Sequence, residues 1–306
     1  MGTAMRIIIT GGSGLIGRAL IIELAHNNHE VIILSRRPER IKYLPAGAIA
    51  KYWDGYTSEG WCPLVDGADV IINLAGENIG AGRWTDKRKR AILESRLNAG
   101  RAVVEAVEAV KHKPRVVVQA SAVGYYGPCG DEEITEDAPP GHDFLARTAI
   151  EWEASTAPVE RMGIRRVIIR TGVVLSTLGG ALNRMLLPYR LFSIRRLGNG
   201  RQWLPWIHIA DEVSAIRFLI ENEKASGPFN LAAPTAVSNG EFSFQLEKRL
   251  RRPALVPIPK FILSLFLGEM ATALLDGQRA IPKRLLQLGF TFRFSEIGLA
   301  LDDLLD

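Results

Sequence analysis

The chain has 306 residues, 47% hydrophobic and 23% charged, an ordinary globular balance that excludes a disordered or collagen-like polymer. Lys and Arg exceed Asp and Glu by 38 to 33; this +5 charge suits a small anionic ligand or a basic surface and is too diffuse to call for nucleic acid. Two cysteines, Cys62 and Cys129, five scattered histidines and no secretory signal argue against a disulfide framework or a metal site and point to the cytoplasm.

In chain order, Arg6–Thr10 is a fully apolar run of the kind that forms a central strand buried on both faces. Gly14–Asn27 has helical periodicity, with Ile16, Leu20 and Leu24 on one stripe. Strands are expected at Glu30–Ser35, Ile49–Trp53 and Asp69–Leu74, the last followed by a glycine-rich loop to Trp84. A long helix over Thr85–Lys111 is capped by Thr85 and stopped before Pro114; its basic run Lys87–Arg90 reads as a solvated face. A strand at Val116–Ser121, a helix over Asp143–Met162 and a strand at Arg165–Arg170 follow. Beyond Leu175 the alternation stops, and Asp211–Glu223 reads as a helix returning to the main sheet. The apolar run Phe261–Leu267, cut by Gly268 and Glu269, is too short to span a membrane and reads as a buried helix.

This pattern predicts an α/β fold, a doubly wound parallel Rossmann sheet with a smaller C-terminal α/β substrate lobe. Residues 1–175, completed by about 205–227, form the larger unit; 176–204 and 228–306 form the lobe. Right-handed crossovers put all strand C-termini on one edge, where ligands bind.

On that edge lies Gly11-Gly12-Ser13-Gly14-Leu15-Ile16-Gly17, after a strand and opening a helix, the context that makes a glycine triplet a dinucleotide signal. Gly11 permits the tight turn, Gly14 lets backbone approach the pyrophosphate and Gly17 lets helix and strand pack closely. At the end of the second strand, where an NAD site places a carboxylate, stand Ser35, Arg36 and Arg37. Guanidinium groups bind a 2′-phosphate through charge-assisted bonds worth roughly 1.5–3 kcal/mol each, so NADP(H) is the expected cofactor.

With Asn73–Asn78, Arg83-Trp84-Thr85, Ser95-Arg96, Gly124-Tyr125-Tyr126-Gly127, Arg170–Leu175, Gly200–Gln202, Trp206–Ile209, Gly227–Asn230, Gly277–Arg279 and Pro282, the chain resembles an extended, atypical short-chain dehydrogenase/reductase. Within that superfamily it is similar to the epimerase-like branch, whose members carry labels such as NAD-dependent epimerase/dehydratase or cell-division-inhibitor-like. The resemblance implies that Leu74, Ala75 and Gly76 pass under the adenosine ribose and pyrophosphate, and that Trp53-Asp54 meets the adenine, with a core role for Trp53 as the other reading. Arg18 has two readings as well, a phosphate contact or a solvent-facing helix residue. Pairing into a homodimer, through the helices at 85–111 and 143–162, is also implied.

The resemblance further implies a Ser or Thr with a Tyr-x-x-x-Lys pair for proton transfer. Ser121 takes the serine position, but no tyrosine has a lysine four residues on, and Asp143 and Arg147 stand where the pair belongs. Arg147 can hold a ribose yet cannot readily give up a proton. Tyr125 and Tyr126 are the substitute acids, or pocket walls that do not titrate. Glu77, Asn78 and Trp84, with Trp206 and His208, are the substrate-pocket candidates, His208 doubling as a structural histidine; Arg170 meets either substrate or a carboxylate within the fold. Two functions stand side by side: an oxidoreductase or epimerase acting on a small carbonyl or hydroxyl compound with an atypical proton donor, and a catalytically silent NADP(H)-binding sensor.

Overall fold

The computed structural model describes residues 4–192, 194–251 and 256–306. Seven parallel strands build the central sheet: β1 (Arg6–Thr10), β2 (Glu30–Ser35), β3 (Ala48–Tyr52), β4 (Val70–Asn73), β5 (Val116–Ala122), β6 (Arg165–Thr171) and β7 (Gly227–Leu231). Their order is β7-β6-β5-β4-β1-β2-β3, the doubly wound arrangement expected. Four helices matter most for the site: α1 (Leu15–His26), α2 (Asp86–Glu108), α3 (Phe144–Ala154) and α4 (Ile209–Glu221).

Side-chain alternation explains why the strands read as unbroken apolar runs. Ile7 and Ile9 join a core with Leu20 and Leu24 of α1 and Ile216 and Leu219 of α4, whereas Ile8 joins Ile71, Val117, Val103 and Val107 on the α2 side. Both faces are covered, so there is no polar face to record in the sequence. Register ties the strand ends together: Thr10 stands beside Asn73, and Asn73 beside Gln119.

Two boundaries and one burial differ from the sequence reading. The helix expected over 143–162 ends at Ala154, and a separate turn starts at Pro158, which has no N–H to continue the ladder. Gly227–Leu231, four of whose five residues had been assigned to the lobe, forms the seventh strand, in register with Val167–Thr171 of β6. Lys260–Leu267 is a helix, but Phe261, Leu265 and Phe266 are exposed rather than buried.

The second core, of Leu175, Leu186, Trp206, Phe242, Phe294 and Leu301, sits beyond the sheet's C-terminal edge. The helices Ala181–Phe192, Asn239–Leu250, Lys260–Leu267 and Ile297–Leu305 belong to this part of the chain. Among the described residues, no helix is long and apolar enough to cross a membrane.

Candidate functional site

The turn after β1 is held by backbone contacts that only glycine allows. Gly11 has φ +71°, and a Cβ there would stand 2.7 Å from the backbone carbonyl carbon of Leu74. A Cβ at Gly17 would lie 2.6 Å from the Gly12 Cα, so helix and turn touch at van der Waals limits. Gly14 caps α1 without a side chain, and no side-chain hydrogen bond is made at that cap. The positive end of a twelve-residue helix is thus left open beside exposed Ser13, a cradle that fits the pyrophosphate of a dinucleotide.

Below this turn runs a buried polar ladder that the sequence reading missed. Thr10 Oγ1 donates to Asn73 Oδ1 at 2.6 Å, Asn73 Nδ2 to Gln119 Oε1 at 2.9 Å, and Gln119 Nε2 to the Ala120 carbonyl at 2.7 Å. All three side chains are fully buried, and they fix the ends of β1 and β4 against the middle of β5. A polar residue closing each of three apolar runs was the available signal.

At the end of β2, Ser35 is buried and its Oγ accepts from the Arg37 backbone N–H. Arg36 and Arg37 are exposed, and the nearest carboxylate to the Arg36 guanidinium is Glu77, at 3.8 Å. Of its two readings Trp53 takes the core one. Trp53 is buried edge-on against Trp61 and donates its indole N–H to the Thr57 carbonyl. The Asp54 carboxylate closes a turn by accepting from the backbone of Tyr56 and Thr57. Leu74 and Ala75 press on Gly11, while Gly76 abuts the Arg96 guanidinium. Leu15 and Ile16, half-buried, open α1.

Beyond the strand ends lies a cavity of about 720 Å³. Asn78 and Trp84 line it as expected; Glu77 does not, its carboxylate pairing instead with Arg88 at 3.2 Å. Arg88 and Lys89, two of the four in the basic run read as a solvated face, are only partly exposed and bind Glu77 and Glu269. Trp206 is in the second core with its N–H on the Thr235 carbonyl. His208 caps α4, accepting from Ala210 N–H through Nδ1, and packs against Phe294; burial holds its pKa below the usual value. Both are structural.

The proton-transfer candidates are displaced by one step of the strand's alternation. Ser121 turns away from the cavity and donates to Glu153 Oε1 at 2.6 Å, while its neighbour Ala122 lines the wall. Glu153 is gripped by both ends of the Arg170 guanidinium at 2.9 and 3.0 Å, and Arg170 donates to the Tyr126 hydroxyl, which itself donates to Asn230. Tyr125 lies flat against the same guanidinium, 3.5 Å from ring centre to carbon. Burial pushes the Tyr126 hydroxyl up to about 12. Ser121, Tyr126 and Arg170 therefore form a buried structural network on which half-buried Tyr125 stacks, and none of the four lines the cavity.

On α3, Asp143 caps the helix through the Ala146 N–H and reaches the cavity, but Arg147 is exposed and does not. The α3 positions four apart that do line the wall are Leu145 with Ala149 and Thr148 with Trp152. Among the described residues no tyrosine, lysine or histidine lines the cavity. Two groups missed in the sequence do matter. Arg96 lines it from α2, bound to the carbonyls of Glu77 and Ile92, with its pKa pulled down to about 10 by burial. Thr171, at the end of β6, lines it and donates to Glu212 Oε1 at 2.8 Å.

Glu212 has no solvent exposure, and its second oxygen has no hydrogen-bond partner. Burial pushes its carboxyl up to about 8, against the pull of the Thr171 hydroxyl. Between the ordinary carboxyl value of 4.5 and about 8 the native chain holds a proton that the unfolded chain has lost. Stability therefore falls as pH rises through that window and levels off above it. Glu212→Gln removes this slope, so in thermal melts its Tm advantage over the parent should widen from pH 5 to pH 8. An equal difference at both values would show that Glu212 does not hold the extra proton.

Residues 7–232 match the NAD dependent epimerase/dehydratase family, and residues 258–304 match a domain of unknown function (DUF1731). The epimerase family protein YfhF of Bacillus subtilis is 41% identical over 302 residues, covering 98% of each chain. The solved structure of human epimerase family protein SDR39U1 with NADPH is 34% identical, with a TM-score of 0.88 over 98% of this chain and 99% of that one. A Corynebacterium glutamicum protein described as a nucleoside-diphosphate sugar epimerase is 36% identical, with a TM-score of 0.79, over 99% of this chain and 58% of that one.

Proposed function

We propose, on the premise that this chain belongs to the NAD dependent epimerase/dehydratase family, that it is an NADP(H)-dependent oxidoreductase or epimerase with an atypical proton donor. The observation that carries this reading is the pair of exposed guanidinium groups, Arg36 and Arg37, just after β2, where Ser35 stands in place of a carboxylate and Arg36 has only a long 3.8 Å contact to Glu77. Gly11, Gly12, Ser13, Gly14 and Gly17 would hold the pyrophosphate at the mouth of α1, with Leu15 and Ile16 in its first turn. Leu74, Ala75 and Gly76 would flank the cofactor on the β4 side. The human relative solved with NADPH supports the choice of cofactor. When bound, the cofactor supplies hydride chemistry.

The chain's own residues must then manage the proton. Thr171 stands between the cavity and Glu212, whose carboxyl stays protonated at neutral pH. We assign the proton to this pair: with Glu212 protonated the hydrogen bond between them turns round, its carboxyl donating to Thr171 Oγ1, so that the Thr171 hydrogen passes to the developing alkoxide and is replaced from Glu212, which is left as carboxylate. The apolar Leu145 and Ala149 on the α3 wall favour the second reading, a silent NADP(H)-binding protein.

The double variant Arg36→Ala/Arg37→Ala should weaken NADPH about tenfold or more, the worth of one or two charge-assisted hydrogen bonds, and leave NADH nearly unchanged. Equal losses in calorimetry would remove the phosphate assignment. For the chemistry, Thr171→Val should abolish NADPH oxidation with a carbonyl panel while NADPH affinity persists. No oxidation by the parent across that panel would favour the silent reading.

A further inference from the structure

We infer that the cavity takes an uncharged, largely apolar carbonyl compound and not a nucleotide sugar; this deepens the cofactor reading above and rests on it. Leu145, Val173, Met185, Leu204, Ile258 and Met270 contribute wall on nearly every side. Trp84 and Trp203 add to this surface, because Trp84 gives its indole N–H to the Ile79 carbonyl and Trp203 gives its own to Asp131, while the buried Trp152 indole N–H is left as a single unpaired donor for a ligand oxygen.

The charged groups on the wall are largely committed. Arg96 serves two backbone carbonyls and lies 4.6 Å over the Trp152 ring; Arg184 serves the Gly80 carbonyl; Asp143 caps α3. A nucleoside diphosphate sugar brings two phosphate charges and a ring of hydroxyls, each of which costs free energy when buried without a partner. Several of the wall's uncharged polar side chains are engaged as well: Asn78 accepts from the Gly80 N–H and Asn239 from the Leu197 N–H, while Thr148 donates to the Phe144 carbonyl and Gln278 to the Gly127 carbonyl. An apolar ligand needs only the Thr171 hydroxyl and neighbouring amides for its one oxygen.

The helix Lys260–Leu267 carries the same chemistry outward. Leu263 lines the cavity, while Phe261, Leu265 and Phe266 on the same two turns are exposed. The helix that contributes Leu263 to the wall is therefore apolar on its outer face as well.

The test uses the full chain. Calorimetry with NADPH comes first and probes the cofactor reading by itself. The NADPH-loaded chain is then titrated with N-phenyl-1-naphthylamine, a neutral apolar fluorophore, and challenged with 2-undecanone or UDP-glucose. One fluorophore per chain, displaced by the ketone and not by UDP-glucose, is expected. Leu263→Glu should lose at least about tenfold in fluorophore affinity because it sets a charge in the wall, with Leu204→Gln as a milder second variant; NADPH uptake by both reports that they are folded. No fluorophore uptake, displacement by UDP-glucose instead of the ketone, or undiminished uptake by both variants would overturn the inference.

Discussion

Glu153→Ala is expected to cost about 3–5 kcal/mol of folding stability, the range for removing one partner of a buried ion pair. Arg170 is 4% exposed and Glu153 8% exposed, so neither charge has water to fall back on. Burial alone would lower the Arg170 pKa, but the two hydrogen bonds and the charge of Glu153 outweigh it and hold the guanidinium firmly protonated. Without Glu153 the cation keeps only neutral partners, the Tyr126 hydroxyl, the Glu136 carbonyl and the Tyr125 ring, and Ser121 loses its acceptor. Urea unfolding measures the loss. Glu153→Leu combined with Arg170→Met should recover most of it, since apolar replacement of both partners leaves no orphan charge. A loss below about 1 kcal/mol for the single change, the value of a surface pair, would mean that this network is hydrated and does not fix the β5–β6 junction.

Gly17→Ala is expected to weaken NADPH and NADH alike by about tenfold to a hundredfold, as overpacking costs of about 1–3 kcal/mol translate into affinity. The added methyl would meet the Gly12 Cα at 2.6 Å and the Gly11 carbonyl oxygen at 2.7 Å. Both obstacles are backbone, so relief requires the turn itself to move off the mouth of α1. Gly14→Ala is the milder control: its Cβ would meet only the Gly11 oxygen, at 3.2 Å. Calorimetry with both dinucleotides separates this effect from the arginine substitutions, which are expected to weaken NADPH alone. Undiminished binding by Gly17→Ala would place the cofactor somewhere other than this turn.

Features confined to one stretch of chain were legible in the sequence. The glycine turn, the alternating strands and helices of the first half, and the absent carboxylate after β2 each depend on a few adjacent residues. The central strands could be read because burial on both faces leaves an unbroken apolar run. β7 was not, since Gly227-Pro228 reads as a turn and its pairing partner lies some sixty residues upstream.

Which way a side chain faces was the least legible property. Ser121 and Ala122 are neighbours, and only the pairing of β5 decides that the alanine meets the cavity. Arg147 and Ala149 differ by two positions on α3, enough to send one to solvent and the other to the wall. Trp206 and His208 precede α4 as the sequence implied, yet Phe294 and Asp303 from the far end of the chain claim the histidine and enclose both in the second core. Glu212 carried no local mark at all; its chemistry comes from full burial behind Thr171.

The central claim is that the turn at Gly11–Gly17 and the two guanidinium groups after β2 together hold a phosphorylated pyridine dinucleotide. Isothermal calorimetry of the unmodified chain against NADPH and NADH, in one buffer, tests it most directly. The account predicts one NADPH per chain, bound about tenfold or more tighter than NADH, the preference expected from one or two charge-assisted hydrogen bonds. Heat from neither dinucleotide, or a preference for NADH, would contradict it.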